Sequence, residues 1–259
     1  MAVPSLYAAR QSHPKKRRWH VVQSLFFIFV FSLAVFVFLQ SSFFRVKAIK
    51  VNGNKQFTKA EVVALTGLQQ GLNIFKANLK QAEEKAVLHP MVRQVEIIRD
   101  LPDTIIINLT ERKAIGLVAQ NGNFIVMSED GCYLSKVNNL SNINLPIITG
   151  IDLGQAGPGQ KVADGKLKTA LDYLMTMPEN IRAAVSEINV SDLNNIRMFT
   201  IDKAEVRFGD AKRIGDKIKL YQEVINQNYQ NRIQYMDISY RGSPVVKFIE
   251  PKKQDKPQQ

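Results

Sequence analysis

Acid–base, nucleophilic or metal chemistry in this 259-residue chain would have to be built from three histidines, one cysteine and scattered carboxylates. Such groups act only within reach of one another, and their placement does not gather them. His13 lies in a basic N-terminal stretch, His20 opens an apolar run, and His89 precedes Pro90 at a helix end, where it reads as structural. Glu83-Glu84 is the paired-carboxylate candidate, yet adjacent helical residues point about 100° apart, which describes a solvated face. Asp130 and Asp210 adjoin glycines and serve turns. Asn52-Gly53-Asn54 and Gly157-Pro158-Gly159 lack the strand-then-helix frame of a phosphate loop. With Cys132 alone, an intrachain disulfide and a cysteine-based zinc site are excluded; beside turn residues it reads as buried and inert. Asn108-Leu109-Thr110 fits a glycosylation sequon but sits inside an expected strand. The expectation is a non-enzyme with no cofactor and no metal.

A different kind of residue dominates the N-terminus. Residues 21–39 read VVQSLFFIFVFSLAVFVFL, and no charge follows until Arg45. At 1.5 Å per residue those nineteen residues make a helix of roughly 28 Å, enough for a hydrocarbon core of about 30 Å. Trp19, Val21 and Leu39 mark the membrane anchor, with the Trp19 indole at the headgroup edge. Arg10, Lys15, Lys16, Arg17 and Arg18 precede it with no acid among the first nineteen residues. The positive-inside bias then leaves residues 1–19 in the cytoplasm as a basic tail and carries everything after Phe44 across. A cleaved signal peptide would share the basic start. Its apolar core is shorter, about 7–15 residues, and the flank from Leu39 to Arg45 offers no small-x-small cleavage site. The formal net charge of +12 does not point to nucleic acid, since topology accounts for the basic cluster and anionic lipid is its neighbour.

The exported part must position whatever surface does the work. Phe44 to Lys47 and Ile49 to Asn52 alternate apolar with polar or basic residues, a strand with a bulge near Ala48, ending in the turn at Gly53. Thr58-Lys-Ala-Glu61 is a capping box opening a helix with Val62 and Leu65 inward, stopped by Gly67. Asn78 caps a second helix with Leu79, Ala82 and Ala86 inward, ended by Pro90. Val95 and Ile97, then Ile105, Ile107 and Leu109, mark two strands joined at Leu101-Pro102-Asp103. The order is β-α-α-β-β. Beyond Ala114 come hairpins, the first at Asn121-Gly122 and a second turn at Glu129-Asp130-Gly131. Residues 145–150 are extended. A helix with Leu167, Leu171 and Leu174 inward ends at Pro178, and strands recur at 185–190, 198–201 and 205–208. Ile214, Ile218, Tyr221, Ile225 and Tyr229 fit one amphipathic helix. Two last strands, 235–240 and 245–249, turn at Arg241-Gly242-Ser243-Pro244. Residues 251–259 are polar and read as disordered.

This order of motifs resembles the bacterial division proteins FtsQ and DivIB. The resemblance rests on Phe44, Val46, Ile49, Val51, Gly53 and Asn54; His89, Pro90 and Val92; Arg99 through Ile105 with Ile107; and Glu111-Arg112, the pattern of a POTRA domain. It continues through Asp130-Gly131, Leu145-Pro-Ile-Ile-Thr-Gly150, Val206-Arg-Phe-Gly209 and Ile238-Ser-Tyr240. What it implies is an α+β chain: residues 20–44 the transmembrane helix and flank, 45–113 the POTRA domain, and 114–250 a mixed α/β domain with a mainly antiparallel sheet. It also implies a non-enzymatic divisome scaffold that binds the ectodomains of FtsL and FtsB (DivIC) and acts on the septal synthase complex indirectly. By position, the partner contact falls on Tyr240, Arg241, Gly242, Val245 and Lys247. The expected location is the cytoplasmic membrane at the division septum.

Residue by residue, that last hairpin admits two readings. Its edge would accept an extended partner through main-chain hydrogen bonds, with Arg241 and Lys247 meeting acidic side chains; or Val245, Val246 and Phe248 complete the core and Tyr240 caps it. Other function classes also stay open. The basic exported part would suit a cell-wall enzyme or a subunit binding anionic wall polymers. A POTRA-bearing export component would continue into many barrel strands, which this sequence does not show.

Overall fold

The structure is a computed structural model that describes residues 16–141, 143–229 and 233–249. The expected tail 251–259, and the basic N-terminal stretch up to residue 15, lie outside them. Helix α1 (Lys16–Leu39) carries the apolar run, and its Trp19–Leu39 stretch is long and apolar enough to cross a membrane, with none of it buried against protein.

A first unit follows directly, with β1 (Ala48–Asn52), α2 (Lys59–Thr66), α3 (Leu79–Val87), β2 (Val92–Asp100) and β3 (Thr104–Glu111). The order is the one the periodicities predict. Local chemistry sets the helix bounds: the Thr58 hydroxyl accepts from the Glu61 amide while Glu61 accepts from the Thr58 amide, Gly67 closes α2 in the left-handed conformation, and the Asn78 side chain caps α3 at Gln81. In the sheet β1 lies parallel to β3, which pairs antiparallel with β2. That register puts Ile49, Ile105, Ile107, Leu109, Val95 and Ile97 on one face, where they pack on Val62, Ala82 and Ala86.

The first half of the expected strand from Phe44 to Asn52 is not extended into the sheet. Residues Ser42–Phe44 form a 3-10 turn, Arg45 makes only an isolated bridge with Asn73, and β1 starts at Ala48. The reason is the Phe44 ring, buried among Phe38, Phe43 and Phe75, while the Val46 and Ile74 amides tie this segment to loop 71–74 instead of to the sheet.

The second unit holds β4 (Ala114–Gln120), β5 (Asn123–Ser128), β6 (Tyr133–Val137), β7 (Ile147–Thr149), α4 (Gly165–Thr176), the short α5 (Glu179–Arg182), β8 (Val185–Asn189), β9 (Ile196–Thr200), β10 (Glu205–Gly209), α6 (Ile214–Val224), β11 (Ile233–Asp237) and β12 (Val245–Phe248). The nine strands form one sheet in the order β12-β11-β10-β9-β8-β7-β4-β5-β6. Five of its pairings are antiparallel and three parallel. Parallel neighbours need a long crossover: α4 and α5 carry the chain from β7 to β8, and α6 from β10 to β11. Both long helices therefore cover the same face, with Phe208 packed between Tyr173 of α4 (ring centroids 4.8 Å) and Tyr221 of α6 (6.4 Å). The expected helix to residue 229 starts at Ile214 and widens into a π-helical turn, Ile225–Tyr229.

A clamp joins the two units. Arg112 donates from Nη1 to the carbonyls of Pro90 (2.8 Å) and Val92 (2.6 Å), and from Nε to Asp130 Oδ2 (3.2 Å). Arg93 adds an ion pair to Glu129 at 2.7 Å.

Gly53 supplies a direct test of the first sheet. Its φ is +82°, and a Cβ there would lie 2.1 Å from the Leu109 carbonyl oxygen, a backbone atom that cannot swing aside. Gly53→Ala is expected to cost more than about 2 kcal/mol in denaturation of the detergent-solubilised chain. Gly122→Ala, at φ +73° with open space around it, should cost about 1 kcal/mol.

Candidate protein interaction surface

Among the described residues, none of those first considered for catalysis forms a reactive cluster; His13 lies outside them. His89 Nδ1 accepts from the Met91 amide (3.3 Å) and its ring stands edge-on to Phe57. Glu83 accepts from the Ile97 amide at 2.7 Å, trimming the open edge of β2. Cys132 is buried, and that burial pushes its thiol up from the ordinary value. The Asn108 side chain is held by Asn52 across the sheet (3.0 Å). No group of three metal-binding side chains exists among the described residues.

The motif residues do backbone work. Arg99 binds the carbonyls of Ile74 (2.9 Å) and Ala77 (2.8 Å). Glu111 receives the amides of Lys55, Gln56 and Phe57. Burial opposes its charge, but those three amides outweigh it and hold the carboxyl below its usual range. Asp210, through its carboxylate and its carbonyl, binds the buried Lys217 ammonium at 2.7 and 2.6 Å, and its carbonyl takes the Tyr173 hydroxyl at 3.0 Å. This one turn fastens α4 and α6 to the end of β10.

That end of β10 aims the last hairpin. Gly209, at φ +70°, lets the chain pass so closely that a Cβ would lie 2.6 Å from the Ser239 Cβ. The expected strand to Tyr240 stops at Asp237, because the Asp237 carboxylate takes both the Ser239 amide (2.9 Å) and hydroxyl (2.6 Å), turning the chain outward. Tyr240 is consequently in the connection, not in a strand, and is 82% exposed. Arg241 and Gly242 are exposed beside it, Gly242 with φ +135°.

β12 is the outermost strand of the sheet, paired antiparallel with β11. Val246 lies opposite Met236 and packs on the core, so the core-completing reading holds for it. Val245 and Lys247 alternate to the other face, and Val245 is 63% exposed. Pairing with Asp237 and Tyr235 places both beside a polar group that sequence reading missed: Tyr235, Asp237, Glu205 and Arg207. The signal was the alternation in Glu205-Val206-Arg207 and Tyr235-Met236-Asp237, which sends every second residue outward. Arg207 sits 4.6 Å over the Tyr235 ring and binds Glu205 at 2.8 Å; the Tyr235 hydroxyl donates to Asp237 at 2.8 Å. Burial opposes the Asp237 charge, but the Ser239 and Tyr235 donors and the Arg207 charge hold its carboxyl below the usual range. Trp19, Val21 and Leu39, the expected membrane anchor, lie on α1, far from this surface in sequence and all exposed.

Comparison with known proteins places this architecture. Residues 44–112 match the FtsQ-type POTRA domain, and residues 116–239 match the C-terminal region of the cell division protein FtsQ/DivIB. The second match stops one residue before Tyr240, so β12 lies beyond it. Over 243 residues the chain is 26% identical to the cell division protein DivIB of Clostridium botulinum, covering 91% of this chain and 94% of that protein. It is 24% identical over 261 residues to the DivIB of Geobacillus kaustophilus (98% and 93%) and 24% identical over 216 residues to the cell division protein FtsQ of Geotalea daltonii (81% and 78%). A solved structure of the major extracytoplasmic domain of DivIB from Geobacillus stearothermophilus aligns with a TM-score of 0.34 at 18% identity, over 47% of this chain and 98% of that one. An apolar N-terminal span followed by these two matched regions in series makes this chain a single-pass membrane member of the FtsQ/DivIB family of cell division proteins.

Proposed function

We propose that this protein is a non-enzymatic scaffold of the division machinery that binds FtsL and FtsB (DivIC) outside the cytoplasmic membrane at the septum, and so acts on septal peptidoglycan synthesis. The observation that carries this reading is β12: an outermost strand with exposed Val245 and Lys247, followed by exposed Ile249 and preceded by the solvent-facing Tyr240. An outermost strand presents a row of unpaired N–H and C=O groups, which makes it a template for strand addition. An extended partner segment laid along Val245 to Lys247 gains main-chain hydrogen bonds, while the alternate side chains select it. Arg241 and Lys247 favour an acidic partner. Tyr240 supplies a large amphipathic contact of the sort that dominates interfaces. FtsB/DivIC is the proposed occupant of this edge, and FtsL is bound through the same complex. The separate positions of Asp130, Asp210, Glu83 and His89, each engaged in a backbone or ion-pair role, support a scaffold over a wall enzyme.

The orientation is proposed from the basic residues before α1, which keep the N-terminus in the cytoplasm. A C-terminal fusion to a reporter enzyme that works only outside the cytoplasm is expected to be active. Activity of a cytoplasm-restricted reporter at that end instead would reverse the topology.

The interface is tested by calorimetry with the FtsB/DivIC ectodomain. Tyr240→Glu and Val245→Asp change solvent-facing side chains, so the fold should persist while each variant loses about 2 kcal/mol of binding, roughly thirtyfold in Kd. Wild-type affinity in both variants would move the contact elsewhere.

A further inference from the structure

We infer that the first unit docks on the lipid surface through loop 71–76, with Leu72 and Phe75 seated at the headgroup–acyl boundary of the leaflet from which it emerges. At 1.5 Å per residue, Trp19–Leu39 spans about 31 Å, the thickness of the hydrocarbon core, which sets Leu39 at the far edge of the apolar layer. No linker follows. The Asn73 side-chain amide donates to the Leu39 carbonyl at 2.8 Å, and its oxygen accepts the Phe75 amide at 3.0 Å. Asn73 thus caps the end of the span and fixes Phe75 beside it in one step. Lys76 Nζ reaches Gln40 Oε1 at 3.4 Å, and the Val46, Gly71 and Ile74 amides lace the loop to the chain leaving the membrane.

The face so placed is apolar where it should be wet. Phe43 folds back to stack on Phe38 of the last membrane turn and is 53% exposed; Phe75, against Phe44, is 44% exposed, and Leu72 43%. Around them stand Arg45 and Lys76, exposed and without an ion pair among the described residues. An apolar patch with a cationic rim, continuous with a membrane span, fits the boundary of an anionic bilayer. A protein partner would need no such continuity with the last turn of the span.

The test uses the full chain in nanodiscs of phosphatidylcholine and phosphatidylglycerol whose acyl chains are brominated near the headgroup. In a Trp19→Phe background, a single tryptophan is placed by Phe75→Trp, Leu72→Trp or, as a distant exposed control, Tyr240→Trp. Bromine quenching at positions 75 and 72 is expected to approach that of native Trp19 and to be absent at 240. Adding Lys76→Glu with Arg45→Glu should reduce it. Leu72→Trp, outside the ring cluster, keeps the test valid should Phe75→Trp disturb packing. Quenching at 72 and 75 no stronger than at 240 would overturn the inference. So would quenching that appears only after a second membrane protein is added, which would assign the patch to that protein.

Discussion

Everything in this molecule is referred to one junction, the capping of the membrane helix by the domain that follows it. A helix end leaves carbonyls without intrahelical partners, and at the edge of lipid an unsatisfied carbonyl is costly. Here the Leu39 carbonyl receives the Asn73 side chain, and the backbone between Phe44 and Val46 is laced to the same loop. The first unit is therefore not tethered to the span but built onto its last turn. With no free linker, the orientation of the ectodomain is inherited from the tilt and rotation of α1.

That inheritance is passed along by short, specific contacts. Glu111 fastens the turn before α2, and the next residue, Arg112, grips the start of β2 with one nitrogen and Asp130 of the second unit with another. Two adjacent residues of opposite charge thus hold the inside of one unit and its connection to the next. Past this clamp, order within the sheet does the rest. The meander β4-β5-β6 builds one end, and the crossovers through α4 and α6 send the chain steadily toward the other. The C-terminal hairpin is consequently the element added last at the outer edge, supported on one side only.

Much of this was legible in the residues. Thr58 with Glu61, Asn78, Gly67 and the Asn121-Gly122 turn are local signals, complete within a few residues, and each marked its element where the structure has it. What was not legible depends on partners distant in sequence. Phe44 to Lys47 alternates like a strand, yet the Phe44 ring is claimed by Phe38 and Phe75, so its backbone pairs with loop 71–74. Tyr240 follows a strand pattern, yet the Asp237 carboxylate ends the strand by capturing Ser239. The short helix α5 after Pro178 carried too few residues to show a period. The parallel pairings of β4 with β7 and β10 with β11 have no local signature at all, because a strand reads the same whichever neighbour it meets.

The division of labour among the motif residues explains why the proposed contact surface is the hardest part to read. Gly53, Arg99, Glu111, Arg112 and Gly209 are each used by backbone atoms at close quarters, where a change of side chain strains a turn or orphans a carbonyl. Such positions fix a frame and report on fold. The outward residues Tyr240, Val245 and Lys247 bear no such load; in this hairpin the frame constrains Val246, which is apolar and turned to the core. A surface of this kind is found by following the frame to its open edge and asking which alternate residues face out, and that construction also brings in Tyr235, Asp237 and Arg207. The Arg207–Glu205 ion pair, the stacking of Arg207 on Tyr235 and the Tyr235–Asp237 hydrogen bond pre-order the strands next to the edge. A partner strand adding there would meet a rigid, polar floor and lose less entropy on docking than it would against a mobile hairpin.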